Sequence, residues 1–172
     1  DNGCGFEQPL ESMRLALNGS NPTNAGFLRD DAFLAVILIT DEDDCSAGDN
    51  NLFSDSAASI SDPLGPLDSF RCFEFGVTCD GWPDGARQGG PKQNCKPRDD
   101  SQYLYRVSDY VDFLKSLKTD PKKVVVAGII GAPTPVNVDV ENQRPKLRYS
   151  CPEPNNPNAD SGAAPGIRLK AF

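Results

Sequence analysis

Residues 33–39 read Phe-Leu-Ala-Val-Ile-Leu-Ile, an unbroken apolar run, and Thr40, Asp41, Glu42, Asp43 and Asp44 follow it directly. The run is too short to span a bilayer, which takes about 20 apolar residues. It also lacks the polar alternation of a half-exposed strand. It therefore predicts a β-strand buried on both faces, as in the centre of a parallel sheet. In open α/β sheets, ligands bind at the carboxyl ends of the strands, and the acids stand at that end. Carboxylates there suit a hard divalent cation, Mg²⁺ or Ca²⁺. The same acids equally suit a solvated loop that caps a following helix.

A second apolar run, residues 124–130, also lacks alternation. Between the two, Leu104, Val107, Tyr110, Val111, Leu114 and Leu117 recur at helical spacing. They predict an amphipathic helix over 101–118, capped by Asp99, Asp100 and Ser101 and stopped at Asp120-Pro121. Strand, helix and strand make a βαβ unit, which is almost always right-handed. An earlier helix is expected over 7–18, with Pro9 in its first turn and Leu10, Met13 and Leu17 as its apolar stripe. Val136, Val138 and Val140 alternate with polar residues, so they predict a half-exposed strand. Leu147 and Tyr149 would pair back onto it across a turn at 142–145. Residues 167–172 look like the opening of a helix. At 172 residues the chain has the size of one domain. The expected class is α/β: a three-layer, mostly parallel sheet flanked by helices.

Residues 46–100 break this pattern. They are rich in Gly, Pro, Asp and Ser, with a turn of helix expected at 60–67 and a short extended piece at 69–77. Six Cys, no His and a single Met point to an oxidising compartment and to disulfides rather than metal thiolates. Cys45, Cys72, Cys79 and Cys95 are expected to form two bridges that staple this insertion; spacing alone does not say which pairs form. The chain is thus read as exported: extracellular, cell-surface or periplasmic. A net charge of −8 disfavours nucleic acid and anionic membranes as partners. No run is long enough for a membrane span, and the start at Asp1 reads as a processed or truncated product.

In this order, the elements resemble part of a von Willebrand factor type A domain. The strand closing in Ile39-Thr40-Asp41 resembles that family's fourth strand. The helix at 101–118 and the strand at 124–130 follow as they do there, and the helix at 7–18, entered through Gly3-Cys4-Gly5, resembles its third helix. More narrowly, Thr-Asp-Glu-Asp-Asp-Cys-Ser at 40–46 together with Phe-Arg-Cys-Phe-Glu-Phe at 70–75 is similar to secreted, cysteine-rich bacterial members.

The resemblance implies a binding or adhesion module that takes a protein or cell-surface ligand, with a divalent cation at the top of the sheet. Asp41 matches the family's third-loop ligand; Glu42 and Asp43 are second-rank candidates. The chain departs from the family in lacking the first-loop Asp-x-Ser-x-Ser motif. Gly3-Cys4-Gly5 also stands where a Thr is expected, leaving Glu7 as the nearest oxygen donor. The first three strands are accordingly expected upstream of Asp1 or on a second chain, with a last helix and strand beyond Phe172. Cys4 and Cys151 would then lie near the top of the sheet, bonded to each other or to cysteines in those segments. Two other functions stay open. One is a disulfide-stapled structural module without metal. The other is a metal-dependent phosphohydrolase using Asp41 and Asp43, which the absence of His and of a suitable Lys and Thr disfavours.

Overall fold

A computed structural model of the chain describes residues 5–82, 84–155 and 161–172. Along the chain run α1 (Pro9–Leu17), β1 (Leu34–Ile39), α2 (Phe70–Gly76), β2 (Val77–Thr78), β3 (Gly90–Lys92) and β4 (Lys96–Pro97). Then come α3 (Val107–Ser116), β5 (Val124–Ile129), β6 (Val136–Glu141), β7 (Arg144–Leu147), β8 (Cys151–Pro152), β9 (Gly162–Ala163) and α4 (Ile167–Ala171). The chain is mixed α/β, and β1 and β5 pair in parallel from Leu34 opposite Val124 to Ile39 opposite Ile129. With α3 between them they form the expected βαβ unit. Among the described residues, though, that sheet has two strands, and the rest of the β structure is small and antiparallel: β3-β6-β7, β2-β4 and β8-β9.

The main core lies on one face of the parallel pair. Leu10 and Met13 of α1, Val107, Tyr110 and Leu114 of α3, and Leu169 of α4 close over Leu34, Val36 and Leu38. The expectation of a strand buried on both faces is therefore corrected. β1 alternates, with Ala35, Ile37 and Ile39 outward, because all three helices sit on one side and no described residue covers the other.

Two boundaries also shift. The helix expected over 101–118 starts only at Val107. Ser101 Oγ accepts the N–H groups of Tyr103 (3.2 Å) and Leu104 (3.0 Å), so it makes a local turn instead of a cap. Tyr105 N–H then donates to Ser46 O (3.0 Å), and Gly48 N–H to Tyr103 O (2.7 Å), which holds 103–105 extended beside 46–48. The piece expected to be extended over 69–77 is helical from Phe70 to Gly76. Asp68 Oδ1 accepts Phe70 N–H (3.1 Å) at the start of that turn, and Phe70 and Phe73 pack into a second core with Val77, Val136, Val138 and Ile167. Tertiary burial overrides strand propensity here. The β6–β7 hairpin forms with Leu147 opposite Val138, but its turn is shorter than the expected 142–145 and Tyr149 lies beyond β7; Asn142 and Gln143 are both at positive φ, the geometry of a two-residue primed turn.

The insertion has a defined shape. Its bridges are Cys45–Cys72 and Cys79–Cys95. Two arginines hold it as well. The buried Arg71 guanidinium donates to the carbonyls of Leu52, Ser54, Asp55, Gly65 and Pro66. Arg87 pairs with Glu74 (2.9 Å) and donates to the carbonyls of Ile60, Asp62 and Pro63. Each satisfies loop carbonyls that a helix or sheet would otherwise have paired. Cys151 has an exposed thiol, free among the described residues; the expected bond to Cys4 falls on a residue outside them.

Candidate functional site

The acids that follow β1 divide into those the fold consumes and those it leaves outward. Asp43 is turned inward, onto the first turn of α4. Its oxygens accept the N–H groups of Ile167 (3.0 Å), Arg168 (2.9 Å) and Leu169 (3.0 Å). Those donors, at the positive end of the helix, favour the ionised form. Burial works against them and pushes the carboxyl up to about 6. Asp44 is fully buried and pairs with Arg168 at 3.0 Å. It also accepts the N–H of Leu10 (3.1 Å), so it orders the start of α1 as well. These two acids resemble a cap more than a ligand set.

Glu42, Asp41 and Glu7 remain at the carboxyl edge of β1. Thr40 Oγ1 donates to the Glu7 carboxylate. Asp41 is exposed, and its carbonyl accepts Ala164 N–H (2.7 Å), which draws the chain after β9 across the strand end. The close approach of that chain to β5 requires glycine at 131, where a Cβ would run into the Ala164 carbonyl. Glu42 is half-buried, and partial burial, with Glu7 and Asp41 beside it, raises its carboxyl to about 7.

Glu42 and Asp43 border a cavity of about 370 Å³. Its far wall comes from Asp68, Phe70 and Phe73 and from the hairpin residues Arg144, Lys146 and Leu147. Asp68 and Arg144 approach to 3.8 Å across it, and burial raises the Asp68 carboxyl. The cavity thus joins an aromatic floor to carboxylates and guanidinium on its rim. No sequence signal pointed to it, since its walls come from segments a hundred residues apart in the chain.

Of the acids expected to share a cation, Asp41 and Glu42 lie together, whereas Asp43 points into α4. Among the described residues, no group of three or more His, Cys, Asp or Glu side chains is placed to hold a metal ion. These residues alone do not fit a complete divalent-cation site, because the best-buried oxygens are already hydrogen-bonded.

Glu42 gives the folded state a pH dependence with a fixed sign. Its folded pKa of about 7 exceeds the ordinary 4.5, so the folded chain holds that proton more tightly. The resulting stabilisation is complete below 4.5 and is lost as pH rises through about 7. Asp43 acts in the same direction between 3.8 and about 6. Glu11, whose carboxyl is lowered chiefly by Arg14, acts oppositely and only below 4.5. The urea midpoint is therefore expected to be higher at about pH 5 than at about pH 8, with the difference narrowed in Glu42→Gln. A midpoint that rises with pH across that interval would contradict the burial of both groups.

No family model matches the chain, and neither a curated protein nor a solved structure is detectably similar to it.

Proposed function

We propose that this chain is an exported, non-catalytic binding module of the von Willebrand factor A type, which takes a protein or surface ligand at the cavity beside Glu42. The observation that carries the reading is that cavity's position. It opens at the carboxyl end of β1, where α/β folds place their ligands, and Glu42 faces it with other carboxylates as its near neighbours. The parallel pair and its crossover helix fit the α/β core of that type, with helices on one face among the described residues. The two disulfides fit export, and among the described residues no helix is long and apolar enough to cross a membrane. A Mg²⁺ or Ca²⁺ ion would need donors beyond Asp41 and Glu42, so no step of this reading runs through one. A phosphohydrolase would need a free second carboxylate, and Asp43 is engaged by α4.

One observation favours a purely structural module: Asp43, Asp44, Arg71 and Arg168 spend their polar atoms inside the chain. Retention of secreted and envelope proteins on the immobilised chain separates the readings, compared among wild type, Arg144→Glu and Arg106→Ala, with and without divalent cation. A partner lost at least about 10-fold on Arg144→Glu and kept on Arg106→Ala supports the cavity. If nothing is retained in an Arg144-dependent way, the structural reading stands instead.

A further inference from the structure

The charged groups that this chain takes out of water are almost all used up inside it. Arg71, Arg87 and Arg168 donate to loop carbonyls, and Asp43 and Asp44 accept backbone N–H groups. Two groups at the cavity beyond β1 differ. The half-buried Glu42 carboxylate accepts no hydrogen bond among the described residues, and the charges acting on it are the carboxylates of Glu7 and Asp41. Arg144, on the hairpin of the far wall, has Asp68 at 3.8 Å, too far for a hydrogen bond. Asp68 in turn accepts the Phe70 N–H (3.1 Å).

The two groups have opposite sign and border one space. A carboxylate whose charged neighbours are all acids gains most from a cation. A guanidinium with its donors unspent takes a carboxylate through two parallel N–H bonds. The pair therefore selects a dipolar ligand, with its cation at the strand end and its anion at the hairpin. Phe70, Phe73 and Leu147 line the same cavity, so the piece that joins the two charges is apolar.

Size narrows the choice. A volume of about 370 Å³ is that of a sphere about 9 Å across. An ammonium and a carboxylate on one carbon stand only about 3 Å apart, too close to serve both walls. The side-chain cation of a lysine reaches about 7 Å from its own carboxylate on a stem of four methylenes, and arginine reaches slightly further. That stem also covers apolar surface while its head stays polar. Within a protein, a lysine or arginine keeps a free carboxylate only at the end of the chain.

We infer that the cavity takes the carboxyl-terminal lysine or arginine of a protein ligand. The side-chain cation lies against Glu42, the stem on Phe70 and Phe73, and the terminal carboxylate on Arg144. The inference rests on the cavity reading above and names the part of the partner that enters.

Calorimetric titration with four probes tests it: acetyl-Ala-Ala-Ala-Lys as the free acid, its carboxamide, acetyl-Ala-Ala-Ala-Leu as the free acid, and free lysine. The lysine acid is expected to bind at least about 10-fold more tightly than each of the others. Glu42→Gln should weaken the lysine acid at least about 10-fold and leave the leucine acid nearly unchanged. Arg144→Ala should weaken the lysine acid by a similar factor and leave the carboxamide nearly unchanged, so each variant erases the discrimination at its own pole. The inference is overturned if the carboxamide or the leucine acid matches the lysine acid, if free lysine matches it, or if no probe binds.

Partners retained by the immobilised chain separate this failure from that of the cavity reading. Their retention should fall at least about 10-fold once a carboxypeptidase specific for basic residues has trimmed them. Arg144-dependent retention that survives trimming overturns the inference and leaves the cavity reading standing. Absence of any Arg144-dependent retention removes both.

Discussion

Arg168→Ala is expected to cost about 3–5 kcal/mol of folding stability, the range for removing one partner of a buried ion pair. The Arg168 and Asp44 side chains are 1% and 0% exposed. Nε and Nη2 of Arg168 lie 3.2 and 3.0 Å from Asp44 Oδ2. Nη1 and Nη2 also donate to the carbonyls of Gly76 (3.2 Å) and Tyr105 (2.8 Å). Asp44 in turn accepts Leu10 N–H and the Ser46 hydroxyl. One guanidinium therefore ties α4 to the end of α2, to the lead-in of α3 and, through Asp44, to α1. Truncating it strands a carboxylate and two carbonyls in a site that water does not reach, and the unpaired charge is the dominant cost.

Urea denaturation of Arg168→Ala against Arg106→Ala measures this. The Arg106–Asp109 pair is 58% and 49% exposed, and exposed pairs of this kind contribute under about 1 kcal/mol. Asp44→Asn combined with Arg168→Met should recover part of the loss, because no net charge is then left buried, although Asn keeps only some of the bonds to α1. Equal costs for Arg168→Ala and Arg106→Ala would mean that water reaches the pair and that α4 is held by its apolar contacts alone.

How much of this was legible in the sequence depends on the range over which each signal acts. Helix periodicity and strand alternation are local, and they placed α1, the body of α3 and the β6–β7 hairpin, while an unbroken apolar run placed β5. They failed at Leu104, which fits the helical stripe yet fills a separate cluster with Cys45, Leu52 and Cys72. They failed again at Phe70 and Phe73, whose propensity is for strands and whose burial is helical. The pairing of the four insertion cysteines depends on chain path, which spacing does not encode. The acidic loop shows the same limit. Composition alone marks Asp41, Glu42, Asp43 and Asp44 as equivalent. What separates them is contact with α4, more than a hundred residues downstream. The alternative of acids that cap a helix describes Asp43 well, except that the helix is a distant one. The bare face of β1 was legible in a different way: the unbroken apolar run predicted two covered faces, and the described residues cover one.

Replacing Cys45 and Cys72 together is expected to cost about 3–4 kcal/mol, set by the 27-residue separation the bridge spans. Losing Cys79–Cys95, with a separation of 16, should cost about 3 kcal/mol on the same chain-entropy account. Entropy thus separates the two bridges by only about 0.5 kcal/mol, and the surroundings decide the rest. Cys45 and Cys72 are 1% and 7% exposed and lie against Leu52 and Leu104. Serine at both positions would put two hydroxyls into that apolar cluster, so the Ser pair should be less stable than the Ala pair by about 1–3 kcal/mol. At the second bridge Cys95 is half-buried, so the same comparison should show a smaller gap there. Urea midpoints of the four double variants check both statements, and hydrogen exchange locates the loosening. Removing Cys45–Cys72 should loosen residues 50–71, because 46–49 are held by hydrogen bonds to Tyr103 and Tyr105, whereas Arg71's bonds to the loop carbonyls pin the later segment to α2 and not to the sheet. If exchange there stays slow without the bridge, Arg71 and the aromatic contacts of Phe53 with Phe6 hold the insertion by themselves, and the staple contributes through the unfolded chain alone.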